Sequence, residues 1–522
     1  MLAAACAAAV AAGCGSGSTG AGAQGSTLVV ARVKDAVILD PSHATDGMSL
    51  NISSETMQGL VRFKPGTFDV VPDAAASWTR SDDGRTWTFA LKPKLVFADG
   101  APLDAAAVKY NFDRWRLPSH PAHGRYSYAY YQDVFGAKIT AVDAPDAAHV
   151  VFHLSAPLGP FLRNLAMQSF QLGSPKALAA DPAAFERKPV GSGPYQIAEW
   201  VRDDHITLSA NPSWSGAKPA YGTVIVRDIP DQATSVLSME HGDVDIMTDP
   251  RPDDAKALAS RPGVRIALQP SNNTSYLSMQ TEKKPWGDAR VRRAVAYALD
   301  RAGMVRGLYT KGAIVADSWL PPGMLGENKA LRAYPHDVAA AKALLAEAGF
   351  PHGFTTTLMY PTSPRPYLPE PQRVAEAIQA NLREAGIDVQ LQPFEFAVFL
   401  DNVKHGRHDM CLIGWTGDNG DPDNFFYPLL DPDSAHKDGT AQNYSFWRDP
   451  AFHALMLEGQ RTVDDTARAA VYRKADAMVH DAAPAIPLVH TTVPVVLKSS
   501  LRGFVPSPNT TYNFNLIAPG GA

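Results

Sequence analysis

The sequence predicts a mixed α/β protein built from several domains, and three observations support this fold class. The chain has 522 residues, which corresponds to about three domains of ordinary size. Its first half contains short apolar runs typical of β-strands, separated by many glycines and prolines. Its second half alternates helical apolar stripes with apolar strand-like runs. This alternation is typical of the αβ units of a mixed sheet.

Four apolar runs predict strands in the first half of the chain. They are residues 28–33 (LVVARV), 86–91 (TWTFAL), 224–226 (VIV) and 264–268 (VRIAL). The second run follows Asp83 and Gly84, a dipeptide typical of a β-hairpin turn. We therefore expect this half to be rich in strands.

Three amphipathic stripes predict helices in the second half. Asp288 is suited to cap the first helix, which we expect to extend to about Met304. The other two stripes lie within residues 338–348 and 374–382, and each is followed by a glycine that can end a helix.

Two further runs in this half predict strands. Residues 387–391 (IDVQL) follow the third helix, and residues 410–413 (MCLI) form a continuous apolar run before Gly414. An apolar run without alternation is typical of a central strand that is buried on both faces.

Composition excludes several function classes. The chain has 53 acidic and 48 basic residues, a formal net charge of −5, and no Lys/Arg run of the kind that nucleic-acid-binding proteins carry. The three cysteines, Cys6, Cys14 and Cys411, form no CxxC or zinc-binding spacing. No metal site is predicted, and Cys411 is expected to be an inert core thiol. The histidine pairs at 120/123 and 405/408 are expected to be solvated.

The first residues have the features of a signal peptide. Residues 2–12 are apolar, but too few for a membrane span, which needs about 20. They lead into AAGC and a Gly/Ser-rich tether. This arrangement resembles a bacterial lipobox with Cys14 as the lipidated residue; an Ala-rich tail with an incidental cysteine is the alternative.

Three motifs carry a resemblance to a known family. They are residues 414–426 (GWTGDNGDPDNFF), residues 191–195 (GSGPY), and residues 288–294 (DARVRRA) with 298–301 (ALDR). Together they resemble the peptide/nickel-binding family of bacterial solute-binding proteins, which serve ATP-driven importers. The resemblance covers nearly all of the chain from about residue 28 to about residue 515.

The resemblance implies a two-lobed α/β fold of the periplasmic-binding-protein type (class II, the large peptide-binding kind). An extra N-terminal α/β domain is inserted, and ligand is held between the closing lobes. The implied division is 1–27 for the signal peptide and tether, 28–50, 177–263 and 490–517 for lobe one, 51–176 for the extra domain, and 264–489 for lobe two.

The resemblance also implies two charged anchors for a zwitterionic peptide. Asp418 matches the acid that takes the terminal ammonium, and Arg365 matches the arginine that takes the terminal carboxylate. The chemistry agrees, because each buried charge of the ligand needs an opposite partner and a guanidinium binds a carboxylate bidentately. We expect the two groups to meet across the closing gap. The other candidate ligand-binding residues are Trp415, Thr416, Gly417, Tyr367, Gly47 and Met48.

Two aspartates of the same motif invite other interpretations. Asp421 and Asp423 could belong to a calcium loop, but the spacing lacks the Asp-x-Asp-x-Asp-Gly order. We expect them instead to cap a helix beginning near Asn424.

The expected function is that of a non-enzymatic receptor for dipeptides or short peptides. It would deliver its ligand to an ABC permease, without a cofactor, and we expect a monomer that is periplasmic or lipid-anchored outside the cytoplasm. A receptor for haem or a nickel complex is the alternative within the same family. A secreted peptidase is a third possibility, but the chain contains no GxSxG or HExxH motif.

Overall fold

The computed structural model describes residues 27–124, 128–270 and 272–520. Cys14 and the predicted leader up to residue 26 lie outside these ranges. Two large sheets, of seven and six strands, form the two lobes, and a four-stranded sheet accompanies them. The architecture is mixed α/β, as predicted. Within the described part, no helix is both long and apolar enough to cross a membrane.

The strands in chain order are β1 Thr27–Arg32, β2 Val61–Phe63, β3 Val70–Pro72, β4 Ala75–Arg80, β5 Thr86–Leu91, β6 Ile139–Asp143, β7 His149–Leu154, β8 Tyr195–Val201, β9 His205–Ala210, β10 Thr223–Asp228, β11 Ile246–Met247, β12 Val264–Pro270, β13 Asn273–Met279, β14 Ile314–Val315, β15 Phe354–Pro361, β16 Ile387–Phe394, β17 Met410–Thr416, β18 Ala485–His490, β19 Thr492–Lys498, β20 Leu501–Arg502 and β21 Ala518–Pro519.

The α-helices in chain order are α1 Gly47–Thr56, α2 Ala105–Arg116, α3 Ala129–Val134, α4 Phe161–Leu165, α5 Pro175–Ala180, α6 Pro182–Phe185, α7 Gln232–His241, α8 Pro252–Leu258, α9 Ala289–Ala298, α10 Arg301–Leu308, α11 Val338–Glu347, α12 Pro371–Glu384, α13 Phe396–Lys404, α14 Asp423–Leu430, α15 Pro450–Arg461 and α16 Asp465–Ala482.

The seven-stranded sheet of lobe one has the order β12-β19-β11-β1-β10-β9-β8. It brings together strands that are distant in the chain, because β19 returns near the C-terminus to pair with β11 and β12. The predicted boundary at residue 264 is wrong for β12, which pairs with β19 along its whole length. The change of sheet lies between Pro270 and Asn273.

The six-stranded sheet of lobe two has the order β14-β18-β13-β17-β15-β16. β17 is central and buried, as its continuous apolar run predicts. It pairs antiparallel with β13 and parallel with β15. The predicted αβ unit is also present, since α12 leads through Gly386 (φ +95°) into β16.

The four-stranded sheet has the order β4-β5-β7-β6 and contains only residues within the range predicted for the extra domain. β4 and β5 form the predicted hairpin around Gly84. An aromatic core covers this sheet, in which Phe89, Phe112 and Phe152 make edge-to-face ring contacts. The other domain boundaries remain a prediction.

The helix predicted to run from Asp288 to about Met304 is wrong in one respect, because the structure has two helices there. Asp288 caps α9 as expected, its side chain accepting a hydrogen bond from the Arg290 amide. The helix ends at Ala298, and Asp300 begins α10 by accepting a hydrogen bond of 2.8 Å from the Gly303 amide. An internal aspartate that serves as a cap thus ends one helix and starts the next.

Candidate ligand-binding site

The segment after β15 carries Arg365 in a tight turn. The backbone amides of Arg365 and Leu368 each donate to the other residue's carbonyl, at 3.0 and 2.9 Å. The guanidinium carbon lies 3.5 Å from the centroid of the Phe396 ring, at the start of α13. Among the described residues, no carboxylate pairs with this guanidinium, and its buried Nε has no hydrogen-bond partner. The turn and the Phe396 ring therefore fix the position of the Arg365 guanidinium, while no described anion pairs with it.

Tyr367, two residues further on, packs against the central strand of lobe two. It is buried, and burial raises its pKa to about 12. A Cβ placed on Gly414 would lie only 2.4 Å from the Tyr367 ring, so the absence of a side chain at 414 allows this close approach. The carbonyl of the intervening Pro366 accepts a hydrogen bond of 3.0 Å from Thr491 Oγ1.

The segment after β17 carries Asp418. Its Oδ1 accepts a hydrogen bond of 3.2 Å from the Tyr130 hydroxyl, and its Oδ2 lies 3.4 Å from Asn424 Nδ2. Burial raises the pKa of Asp418 to about 6, and the nearby Asp133 carboxylate adds to this rise. No lysine, arginine or histidine forms an ion pair with Asp418 within the described ranges. The carboxylate therefore has polar partners but no cation.

The three residues before Asp418 differ in their surroundings. Trp415 is partly buried against the core of lobe two, and its Nε1 donates to Asn424 Oδ1 at 3.1 Å. Thr416 is exposed. Gly417 is held by two hydrogen bonds to Asn272: its amide donates at 2.7 Å and its carbonyl accepts at 2.8 Å.

Arg365 and Asp418 follow neighbouring parallel strands, since β15 pairs parallel with β17. Both segments therefore leave the same edge of the lobe-two sheet, the carboxyl edge at which α/β proteins commonly bind ligands. Neighbouring strands lie about 4.8 Å apart, and segments diverging from them can bracket a small molecule. Both strands belong to the six-stranded sheet, so one lobe carries both candidate anchors. The expectation that the two groups meet across the closing gap to neutralise both ends of a peptide stays a prediction.

Gly47 and Met48 lie at the start of α1 in lobe one, behind the cap Asp46. Gly47 is exposed, and the Met48 carbonyl accepts a hydrogen bond of 3.4 Å from Arg32. Met48 also lines a small cavity with Tyr512 and Phe514. No hydrogen bond among the described residues joins these two positions to Arg365 or Asp418.

Asp421 does not act mainly as a helix cap. Its carboxylate forms a buried bidentate ion pair with Arg468, at 2.7 and 2.8 Å, while it also accepts the Asp423 amide at 2.9 Å. Asp423 is the first residue of α14 and contacts Gln460 and Tyr472 through its side chain. Both carboxylates are therefore engaged by protein groups.

The histidine expectation is wrong at position 408. His408 is fully buried, and its ring lies 2.8 Å from the Tyr444 carbonyl. Burial lowers its pKa to about 4, so the ring is neutral at physiological pH. Cys411 is a buried free thiol, and burial raises its pKa, as expected for a core residue.

Three contact residues were not found from the sequence: Tyr130, Asn272 and Asn424. Asn424 lies within the motif of residues 414–426, so its place in the motif was a usable signal. Tyr130 and Asn272 are 288 and 145 residues from their partners, and nothing in their local sequence marks them.

Comparison with known proteins places the chain among binding proteins. The family model described as bacterial extracellular solute-binding proteins, family 5 (Middle), matches residues 69–437. The dipeptide-binding protein of Escherichia coli is 31% identical over 95% of each chain. Heme-binding protein A of Haemophilus influenzae is 30% identical over 92% of this chain and 90% of its own.

A solved structure agrees with this placement. The structure of HbpA2 from Haemophilus parasuis covers 95% of this chain and 100% of its own, with a TM-score of 0.89 and 29% identity. The family match extends over well more than half of the chain, and the related structure spans both lobes. The chain therefore belongs to the bacterial extracellular solute-binding proteins of family 5.

Proposed function

We propose that this protein captures dipeptides or short peptides outside the cytoplasm and delivers them to an ABC permease. Asp418 would take the terminal ammonium and Arg365 the terminal carboxylate. The observation that carries the proposal is that two side chains of opposite charge follow neighbouring strands at one sheet edge, and neither has an oppositely charged partner among the described residues: Arg365 has no anion and Asp418 has no cation. A zwitterion supplies both.

The proposal favours a dipeptide over longer peptides. A dipeptide spans about 7 Å, and each further residue adds about 3.3–3.6 Å. Two anchors on neighbouring segments therefore favour one length, because a longer peptide would leave one terminal charge unpaired. Each charge-assisted hydrogen bond contributes about 1.5–3 kcal/mol, so two anchors with backbone contacts can reach roughly micromolar affinity.

The remaining candidate residues have supporting roles in this proposal. Trp415 and Tyr367 would form walls beside the ligand, while Thr416 and Gly417 would offer backbone groups. Gly47 and Met48 of lobe one would cover the ligand when the lobes close by hinge motion. Binding would need only protein groups, so we propose a receptor without a cofactor and without enzymatic activity.

We also propose that Cys14 is lipidated and that the monomer is tethered to the outer face of the cell membrane. The family description places the protein outside the cytoplasm, and a lipid anchor would hold it near its permease. Mass spectrometry of the N-terminal peptide from the native host would detect the added acyl mass; an unmodified Cys14 would contradict this part.

The proposal is tested by identifying ligand carried through purification and then by calorimetry. Mass spectrometry of the denatured protein should release dipeptides or short peptides. After removal of that ligand, Ala-Leu should bind with roughly micromolar Kd, and N-acetyl-Ala-Leu should bind about tenfold or more weakly because it has no ammonium. Equal affinity for the free and acetylated peptides would overturn the role of Asp418.

Haem is a second candidate ligand, because a relative of nearly full length is named heme-binding protein A. Nickel complexes belong to the same alternative. Titration with haemin, followed through the Soret absorption, and metal analysis of the purified protein distinguish these ligands from peptides. Stoichiometric haem or nickel together with no peptide binding would favour this alternative.

A further inference from the structure

The four residues 418–421, here called the anchor loop, belong to lobe two, yet each is contacted by the extra domain. Tyr130 donates to Asp418 at 3.2 Å, and Asn419 Nδ2 donates to Asn164 Oδ1 at 2.7 Å. These contacts tie the proposed ammonium site to another domain.

The other half of the anchor loop is held in the same way. Gly420 has a φ of +60°, and a Cβ on it would lie 2.5 Å from the Phe68 ring. Phe68 is almost fully buried and packs into the core of lobe two. Arg163 Nη1 lies 3.9 Å from the Asp421 carboxylate. A side chain of the extra domain therefore faces every residue of the loop.

A second set of contacts continues this interface beside the loop. Arg163 forms a bidentate ion pair with Asp465 at the start of α16, at 3.0 and 2.9 Å. The Gly159 amide donates to the Gln460 carbonyl at 2.6 Å, and a Cβ on Gly159 would lie 2.5 Å from Arg468 Nε. Such close backbone approach requires the two surfaces to be fully docked.

We propose that the extra domain is a latch that closes on the anchor loop and thereby sets ligand affinity without touching the ligand. This inference rests on the proposed function of Asp418. Contacts made only in the closed form add to the affinity for any ligand that favours closure. A ligand bound at Asp418 would fix the loop in the shape that Tyr130, Asn164 and Phe68 fit.

Two arginines face the Asp421 carboxylate, one from each side of this interface. Arg468 neutralises the Asp421 carboxylate within lobe two, with both side chains fully buried. Arg163 approaches the same carboxylate from the extra domain and also reaches Asp465. The interface therefore presents one docked guanidinium to two acidic groups, an arrangement that favours association of the surfaces.

Hydrogen exchange of the full chain tests whether the contacts form on closure. Adding Ala-Leu should slow exchange in residues 157–165, where the Gly159 amide is bonded to lobe two. Equal exchange with and without the bound dipeptide would overturn the latch, because the interface would then be permanent. Binding of Ala-Leu to the wild-type protein is measured first; if no peptide binds, the proposed function fails.

Variants that remove the interface from either side test its effect on affinity. Arg163→Ala and Asp465→Ala should each raise the Kd for Ala-Leu about threefold or more, mainly through faster dissociation. Asp465 is half exposed, so its variant should fold even if Arg163→Ala does not. Arg116→Ala is the matched control, because Arg116 pairs with Asp113 inside the extra domain.

Small-angle scattering of the ligand-free proteins tests the latch independently of whether the protein binds peptides. Arg163→Ala and Asp465→Ala should shift the ligand-free protein to a larger radius of gyration than wild type, while Arg116→Ala should not. Unchanged affinity and unchanged scattering in both latch variants would overturn the proposal, whatever ligand the wild type binds.

Discussion

The hydroxyl of Tyr130 donates a hydrogen bond of 3.2 Å to Oδ1 of Asp418, joining α3 to the loop that follows β17. Burial and the Asp418 carboxylate raise the pKa of Tyr130, so the tyrosine remains a neutral donor. A neutral donor leaves the charge of the carboxylate uncompensated. The pKa of Asp418 is raised because burial penalises its uncompensated negative charge, and this shift should make ligand binding depend on pH.

Peptide binding should weaken below pH 6. The pKa of Asp418 is about 6 in the ligand-free protein, and a bound ammonium would lower it because it stabilises the ionised form. Protons then compete with the peptide, so affinity is constant above pH 7 and falls as pH drops through 6. We expect the Kd for Ala-Leu to rise about tenfold between pH 7.5 and pH 5.0, measured by calorimetry.

Asp418→Asn is the variant that isolates this effect. It should bind Ala-Leu about tenfold or more weakly at pH 7.5 and lose the pH dependence between 7.5 and 5.0. Asp388→Asn, at an exposed position of β16, should behave as wild type. A pH dependence that persists in Asp418→Asn would assign the titration to another group.

Arg365→Ala should weaken dipeptide binding about tenfold or more by removing a bidentate partner of the carboxylate. The melting temperature of the ligand-free protein should change little, because the guanidinium has no anionic partner among the residues that the structure describes. Arg373→Ala, an exposed arginine on α12, provides the control for removal of a positive charge.

Comparing Ala-Leu with its C-terminal amide, in wild type and in Arg365→Ala, gives the equivalent of a double-mutant cycle. Wild-type protein should bind Ala-Leu-amide about tenfold or more weakly than Ala-Leu, whereas Arg365→Ala should bind the two almost equally. If the penalty for the amide is as large in Arg365→Ala as in wild type, the carboxylate binds elsewhere.

Local sequence predicted several helices and strands because their signals are short-range. The Asp288 cap, the stops at Gly349 and Gly386, and the buried strand β17 all depend on residues within one or two turns of each other. Arg365 and Asp418 are candidates through a family resemblance carried by motifs of a few residues, and their roles stay predictions. Their common sheet edge follows from β15 and β17 being parallel neighbours, a relation that no local pattern contains.

Long-range contacts were not predictable in the same way. In the seven-stranded sheet, β12 pairs with β19, although one strand precedes and the other follows the lobe-two segment in the sequence. The predicted start of lobe two at residue 264 therefore lies too early in the chain. Tyr130 contacts Asp418 across 288 residues of sequence. His408 looked solvated in a polar stretch, but the Tyr444 carbonyl gives its ring a buried partner.

Gly414→Ala should disturb the Arg365 turn without touching a charged group. The new Cβ would lie 2.4 Å from the Tyr367 ring and 2.7 Å from the Thr274 carbonyl. Overpacking of this kind costs about 1–3 kcal/mol of stability, and displacement of Tyr367 would move Arg365. We expect a lower melting temperature and about tenfold weaker binding of Ala-Leu, measured by scanning and titration calorimetry.

Gly307→Ala is the matched control for this substitution. Gly307 lies in α10, and a Cβ on it would have no neighbouring atom within 4 Å. Alanine is also favoured over glycine in a helix interior by about 1 kcal/mol. This variant should be slightly more stable and bind Ala-Leu as wild type does. If Gly414→Ala bound equally well, the Tyr367 contact would have no part in positioning Arg365.

The buried carboxyl group of Glu55 should make the stability of the folded protein depend on pH. This residue of α1 is almost fully buried. Its Oε2 accepts a hydrogen bond of 2.9 Å from the Phe514 amide, whereas its Oε1 has no hydrogen-bond partner in the part of the chain that the structure describes. Burial raises its pKa to about 8 from a usual value of 4.5. Between these pH values the native state binds more protons at Glu55 than the unfolded state does. The contribution of Glu55 to stability therefore falls as pH rises through this window and levels off above pH 8.

Glu55→Gln should remove that contribution, because the amide stays neutral at every pH while keeping the shape of the side chain. The melting temperature of the variant relative to wild type should increase from pH 5 to pH 9, measured by scanning calorimetry without ligand. Glu376→Gln, on α12 with its carboxylate exposed to solvent and hydrogen-bonded to Gln372, should show no such trend. A difference between Glu55→Gln and wild type that stays constant from pH 5 to pH 9 would mean that Glu55 is already ionised at pH 5 and that burial of its charge carries no penalty.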